Sequence, residues 1–305
     1  MATDHQDIIS EIRHLKKQKK AVFLVHNYQR PEVQDLADFV GDSLELSQKA
    51  AKTEAEVIVF CGVHFMAETA FLVNPGKTVL LPEMESGCPM ADMITVEQLI
   101  KKKKEIPGAV VVCYVNSSAA VKAESDICCT SANAVRVVQS LPVDREILFI
   151  PDQYLGQWVA QKTGRDMHLW PGYCPTHMRI LGKKILEEKA KHPAAIALVH
   201  PECRPDAKEA ADEVLSTGGM IRFAAESPAK EFIIGTETGI IHRLKKENPG
   251  KIFIPVNTKA VCPNMKKITL EKVLRALQKM QYKVSVPRSI RDKALSAVNR
   301  MLAVG

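Results

Sequence analysis

The chain has 305 residues, 46% hydrophobic and 25% charged, a globular composition long enough for two or three domains. No stretch approaches the roughly 20 apolar residues of a membrane span, and the charged segment Met1 to Lys20 does not resemble a secretory signal. The net charge of +7 admits anionic partners, but aromatic residues are only 5% and do not interleave with the lysine runs, which argues against nucleic acid.

Along the chain, the first apolar run, Ala21–Val25, reads as a buried parallel strand and ends in His26 and Tyr28. A segment opening at Ser43 follows, then strands at Glu56–Phe60 and Thr78–Leu81, the sequence Cys88-Pro-Met and a helix over Val96–Ile100. The series then recurs. Ala109–Cys113 ends in Tyr114 and Asn116, and Ser131, Glu146–Ile150 and Met167–Trp170 lead to Cys174-Pro-Thr-His177. Ala195–Val199 ends in His200 and Glu202, and Thr217, Glu231–Ile234 and Lys251–Ile254 lead to Cys262-Pro-Asn-Met and a helix over Leu270–Leu277.

Strand starts and hydroxyl residues repeat at lags of 88 and then 86 residues, the cysteines at 86 and then 88. Agreement among three registers argues for internal triplication in units of about 87 residues, each small enough to lean on the others. The expected fold is α/β: three homologous Rossmann-like α/β/α domains with parallel sheets, arranged around a pseudo-threefold axis with strand ends inward. The units are placed at 1–92, 93–177 and 178–267. The tail, 268–305, carries Tyr282–Val286 and a helix over Ser289–Leu302, and is expected to return and close the first unit.

Residues two apart on a strand face the same way, so each strand-end pair can aim at one shared site. Eight cysteines without a secretory signal suit a reducing cytoplasm, where thiols bind metal or stay free. Cys88, Cys174 and Cys262 are too far apart for a zinc finger but suit one thiolate per unit at a common centre. Thiolates select iron–sulfur clusters, zinc or copper(I), and three on a cubane cluster leave one iron open as a Lewis acid. Cys61 and Cys113, inside apolar strands, read as small buried hydrophobes, and Cys128, Cys129 and Cys203 have no assigned role. Ser43, Ser131 and Thr217 read as helix N-caps beside free amides suited to an anionic substrate. Glu202 reads as a general base if the site raises its pKa.

These residues bring out a resemblance. His26-Asn-Tyr28-Gln, Gly41-Asp-Ser43-Leu-Glu-Leu-Ser47, Tyr114-Val-Asn116-Ser, Gly172-Tyr-Cys174-Pro-Thr-His177, His200-Pro-Glu202-Cys, Gly235-Thr-Glu-Thr-Gly239 and Val261-Cys262-Pro-Asn-Met-Lys resemble the quinolinate synthase family over nearly the whole chain. The resemblance implies three homologous domains and a [4Fe-4S] cluster on Cys88, Cys174 and Cys262. It implies condensation of iminoaspartate with dihydroxyacetone phosphate to quinolinate, with loss of phosphate and two waters, in de novo NAD biosynthesis. It further implies substrate contacts from His26, Tyr28, Ser43, Tyr114, Asn116, Ser131, His177, His200, Glu202 and Thr217. Tyr28, Glu202, His200 and His26 are the candidates for catalysis, with proton transfer assigned to Tyr28 and Glu202. An aspartate-oxidising enzyme supplying iminoaspartate is the expected partner. Met265 and Ile268 stand where some members carry Cys-x-x-Cys-x-x-Cys, which argues against a thiol–disulfide switch of that type. The rival readings are another cluster-dependent hydro-lyase and a non-catalytic iron–sulfur sensor that binds nucleic acid. The second leaves the matched strand-end groups without a purpose.

Overall fold

A computed structural model describes residues 5–305, so residues 1–4 of the charged first segment lie outside the description. Three sheets of four strands are present among these residues, and every pairing within them is parallel. In the first, β1 (Ala21–His26) lies between β2 (Phe39–Gly41) and β3 (Val57–Cys61), with β4 (Thr78–Leu80) beyond β3. The second sheet repeats this order with β5 (Val110–Tyr114), β6 (Ile127–Cys129), β7 (Ile147–Ile150) and β8 (His168–Leu169). The third does so with β9 (Ile196–Val199), β10 (Glu213–Val214), β11 (Glu231–Gly235) and β12 (Ile252–Pro255). Helices connect the strands, as parallel pairing requires, and strands such as Val57–Cys61 are buried at every position.

The nine strands read from the sequence are all present, and each sheet has one more, the short edge strand β2, β6 or β10. Two or three residues carry too little period to be seen in a sequence. A further repeat lies just before them. Asp38, Asp126 and Asp212 each turn a carboxylate onto the central strand, accepting from Phe23 N at 2.7 Å, Val111 N at 2.8 Å and Ala197 N at 2.8 Å. The same bond in the same place in all three units is direct structural support for a triplicated α/β chain.

The first two units and the tail share one core, whereas the third has a cluster on each face of its sheet. Ala197, Val199 and Ile233 point to one of these clusters and Leu198, Phe232 and Ile234 to the other, the alternation a strand imposes. Polar groups join the third unit to the first: Arg243 donates to Val40 O (2.8 Å) and Asn27 Oδ1 (3.0 Å), and Gln34 Nε2 to Gly239 O (2.9 Å). In the tail, Leu81 N donates to Tyr282 O and Val284 N to Val79 O, so the segment pairs antiparallel beside β4 of the first sheet. The last helix, Arg288–Val304, buries Ala294, Ala297, Val298 and Met301 in the shared core. It also accepts from Asn133 of the second unit at Met301 O (3.3 Å), so the tail touches both units. No helix among the described residues is long and apolar enough to cross a membrane.

Candidate active site

The central strands β1, β5 and β9 end beside one cavity. Its wall holds His26, Tyr28 and Ser43 from the first unit and Tyr114, Asn116, Ser131 and His177 from the second. His200, Glu202 and Thr217 come from the third. Cys88, Cys174 and Cys262 line the same cavity, one from each unit, so the structure brings together every residue singled out from the strand ends, the hydroxyl register and the cysteine register. The other five cysteines are fully buried away from it.

The Cys-Pro pairs have a local structural cause. Each cysteine precedes a short 3-10 turn, Ala91–Met93, His177–Arg179 or Met265–Lys267. The sulfur accepts from the opening amides of that turn: Ala91 and Met90 on Cys88, His177 on Cys174, Met265 and Asn264 on Cys262. Proline between them brings a preset φ and has no N–H of its own to satisfy. Burial pushes the Cys88 thiol up to about 12, with Cys262 and Glu202 adding to the rise, and raises Cys174 and Cys262 as well. Three clustered thiols that resist ionising alone suit a soft cationic centre, whose charge reverses that preference. Their amide hydrogen bonds suit it too, because bonds to sulfur stabilise thiolate ligands.

The hydroxyls are not helix caps. The helix Ser43–Lys52 is capped by Asp42, which accepts from Leu44 N and Glu45 N, and Thr217–Glu226 is capped by Ser216, which accepts from Gly219 N. Ser131 precedes Ala134–Gln139 by three residues, in a turn closed by Thr130 N donating to Asn133 Oδ1 at 2.8 Å. Because neighbours perform the capping, the three hydroxyls are left facing the cavity. Asn27 Nδ2 holds Thr217 Oγ1 at 3.0 Å, and His200 Nε2 lies 3.2 Å from Ser131 Oγ.

The repeated histidines are set in the same way. His26 Nδ1 accepts from Tyr28 N at 3.2 Å, and His200 Nδ1 accepts from Glu202 N at 3.3 Å. Burial lowers both pKa values to about 3, so at neutral pH each ring is uncharged. With Nδ1 accepting, the remaining proton sits on Nε2, which becomes a hydrogen-bond donor to the cavity. His177 stacks on His200 with ring centroids 4.7 Å apart.

A chain of polar groups crosses the site. Tyr28 Oη meets Thr236 Oγ1 at 2.5 Å, and Thr236 Oγ1 meets His177 Nε2 at 2.9 Å. His177 Nδ1 lies 2.7 Å from Glu202 Oε2, a short contact bent away from straight hydrogen-bond alignment. The Tyr114 hydroxyl donates to the other carboxylate oxygen, Glu202 Oε1. Burial and the nearby Glu202 charge raise both tyrosines well above their ordinary pKa, so they stay protonated donors. Burial also opposes ionisation of Glu202, but His177, His200 and the Tyr114 hydrogen bond outweigh it, and its pKa falls below the usual carboxylate range. This corrects the expectation of a raised Glu202: the group is an ionised acceptor. Asn116 Oδ1 is buried with no hydrogen-bond partner in the protein, an acceptor left for a ligand.

The quinolinate synthetase A protein family matches residues 10–303. The chain belongs to that family. It is 60% identical over 301 residues to a quinolinate synthase of Dehalococcoides mccartyi (strain CBDB1), covering 98% of this chain and 99% of that one. It is 57% identical over 298 residues to a quinolinate synthase of Desulforudis audaxviator (strain MP104C), and equally to quinolinate synthase 1 of Methanosarcina acetivorans, with 98% of each chain covered in both cases.

Several site residues are not singled out by the sequence. Asp42 and Glu237 line the cavity beside an apolar wall that includes Val63, Phe65, Met66 and Met90. Thr236 bridges Tyr28 and His177, and Lys266 pairs with Glu237 at 3.0 Å. Thr236 and Glu237 sit in the Gly235-Thr-Glu-Thr-Gly239 segment and Lys266 closes Val261-Cys262-Pro-Asn-Met-Lys, so both motifs were visible. Thr236 and Lys266 themselves are not repeated in the other two units, and the register of strand ends, hydroxyls and cysteines does not reach Glu237.

Proposed function

We propose that the chain is a quinolinate synthase acting on iminoaspartate and dihydroxyacetone phosphate, with loss of phosphate and two waters, as a condensing transferase of NAD biosynthesis. The observation that carries this reading is the convergence of one cysteine and a matched set of polar strand ends from each unit on one cavity. Cys88, Cys174 and Cys262 would hold a [4Fe-4S] cluster, which when bound supplies an iron not ligated by cysteine as a Lewis acid for loss of a hydroxyl.

The remaining work falls to the side chains. His26 and His200 present neutral Nε2–H groups, and with Ser43, Ser131 and Thr217 they donate to the phosphate and carboxylates of the substrates. Neutral donors hold an anion without the strong pairing that would slow release of phosphate. Asn116 Oδ1 accepts from an N–H or O–H of the bound intermediate, and Tyr114 orients it opposite Glu202. Tyr28 gives or takes a proton at its Oη, with Thr236 hydrogen-bonded between it and His177, and His177 Nδ1 in short contact with Glu202 behind them. Glu202 is the acceptor at the far end, and its burial keeps bulk water from competing.

The domain units 1–92, 93–177 and 178–267, a cytoplasmic location and delivery of iminoaspartate by an aspartate-oxidising enzyme belong to the same proposal. The test is an anaerobic assay with both substrates and chromatographic detection of quinolinate. Product that requires both substrates supports the reading. Absence of product from protein with a full complement of iron and sulfide would favour a different hydro-lyase.

A further inference from the structure

Glu237, just past the end of β11, is completely buried, and every group within hydrogen-bond reach of its carboxylate is a donor. Cys262 N donates to Oε1 at 3.0 Å and Gly239 N to Oε2 at 2.7 Å, while Lys266 Nζ lies 3.0 Å from Oε1. Burial pushes the Glu237 pKa up, and Lys266 with the Gly239 and Cys262 amides works against that rise, so these donors are what hold the carboxylate in place. Lys266 is equally committed. Its Nζ also donates to Tyr28 O in the first unit, and its carbonyl accepts from Arg30 Nε at 2.7 Å. The packing is close enough that a Cβ on Gly239 would stand 2.6 Å from Lys266 Nζ.

We infer that Glu237 and Lys266 are a positioning pair that holds the Cys262 backbone against the Tyr28 segment and sets the charge felt by the metal centre from one side only. The inference rests on the cluster reading above. The asymmetry is on the page: the residue four after the cysteine is Lys266 in the third unit, but Asp92 in the first and Met178 in the second. Lys266 crosses the seam between the first and third units to reach Tyr28 O, while Glu237 holds Cys262 N within the third, so the pair in series links a metal-ligand loop to a loop that carries a catalytic tyrosine. A buried pair of this kind adds little net stability compared with apolar packing, and removal of one partner strands the other's charge. Its value here lies in register and in electrostatics. Reduction adds negative charge to an iron–sulfur centre, so a nearby carboxylate opposes reduction and a nearby ammonium favours it.

The experiment uses anaerobically reconstituted protein as wild type, Glu237→Gln, Lys266→Met, the double variant and Lys266→Arg. Redox titration followed by electron paramagnetic resonance gives the midpoint potential, and bathophenanthroline gives the rate of iron release. Glu237→Gln should move the potential upward and Lys266→Met downward, with the double variant and Lys266→Arg close to wild type. Each single neutral variant should release iron about 10–100-fold faster, the usual loss when a ligand's supporting contact is removed. Shifts in the same direction for both single variants, or unchanged potentials with unchanged iron release, would overturn the inference. If Glu237→Gln does not fold, the contrast between Lys266→Met and Lys266→Arg decides it. Wild type that takes up no cluster would instead overturn the reading beneath it.

Discussion

Acid tests the histidine environment directly. His26 and His200 are lowered by burial from 6.5 to about 3, so between those values the folded chain leaves both rings neutral while the unfolded chain protonates them. The unfolded state then binds more protons, and stability is lost as the pH falls through that window. At pH 5 the unfolded value lies about 1.5 units above the pH, a loss of about 2 kcal/mol for each ring and about 4 kcal/mol for both. That is a large part of the roughly 5–15 kcal/mol by which domains are stable. Glu202 does not confuse the result. Its pKa is depressed, so its contribution is intact above the ordinary carboxylate value of about 4.3 and fades only below it. The assay is urea unfolding of metal-free protein at pH 7.5 and 5.0, for wild type and the His26→Gln/His200→Gln double variant. Wild type should lose about 4 kcal/mol between the two pH values and the variant little of that. Equal losses in the two proteins would refute the assignment of both rings as buried and neutral.

The cap assignment separates two neighbouring residues. Asp42→Ala should cost the helix Ser43–Lys52 about 1 kcal/mol in chemical denaturation, whereas Ser43→Ala should leave unfolding unchanged and raise KM for the phosphorylated substrate. A destabilised Ser43→Ala would restore it as the cap. Glu202→Gln should lower kcat by about 10²–10⁴-fold with iron content retained, as expected for a positioned proton-transfer group. An unchanged kcat would remove Glu202 from proton transfer. Cys61→Ala should keep its iron, because this fully buried thiol lies outside the cavity wall, and colourless protein would place it in the ligand set.

The strands β1, β3, β5, β7, β9 and β11 are legible as apolar runs, mostly buried, whereas β4, β8 and β12 are legible chiefly by their place before each cysteine. The edge strands were hidden because Phe39-Val-Gly and Glu213-Val are short and partly exposed, and only the pairing to β1 and β9 makes them strands. The site was legible where it repeats. His26 with His200, Ser43 with Ser131 and Thr217, and the three cysteines announce themselves by register. Thr236 and Lys266 do not repeat, that register does not reach Glu237, and their roles arise from contacts across roughly 30 to 240 residues of sequence that no local pattern encodes. The direction of the Glu202 shift was also out of reach. Burial alone predicts a rise, and the placement of His177 and His200 beside it, with Tyr114 on its other oxygen, reverses it.

The central claim is that Cys88, Cys174 and Cys262 together hold one iron–sulfur cluster at the meeting point of the three units. The most direct measurement is iron and acid-labile sulfide per chain after anaerobic purification, for wild type and for each of the three single Cys→Ala variants. The account predicts close to four of each in wild type, as a [4Fe-4S] cluster requires, and a collapse of both numbers and of quinolinate formation in every variant. A colourless, iron-free wild type that makes quinolinate at full rate would contradict it.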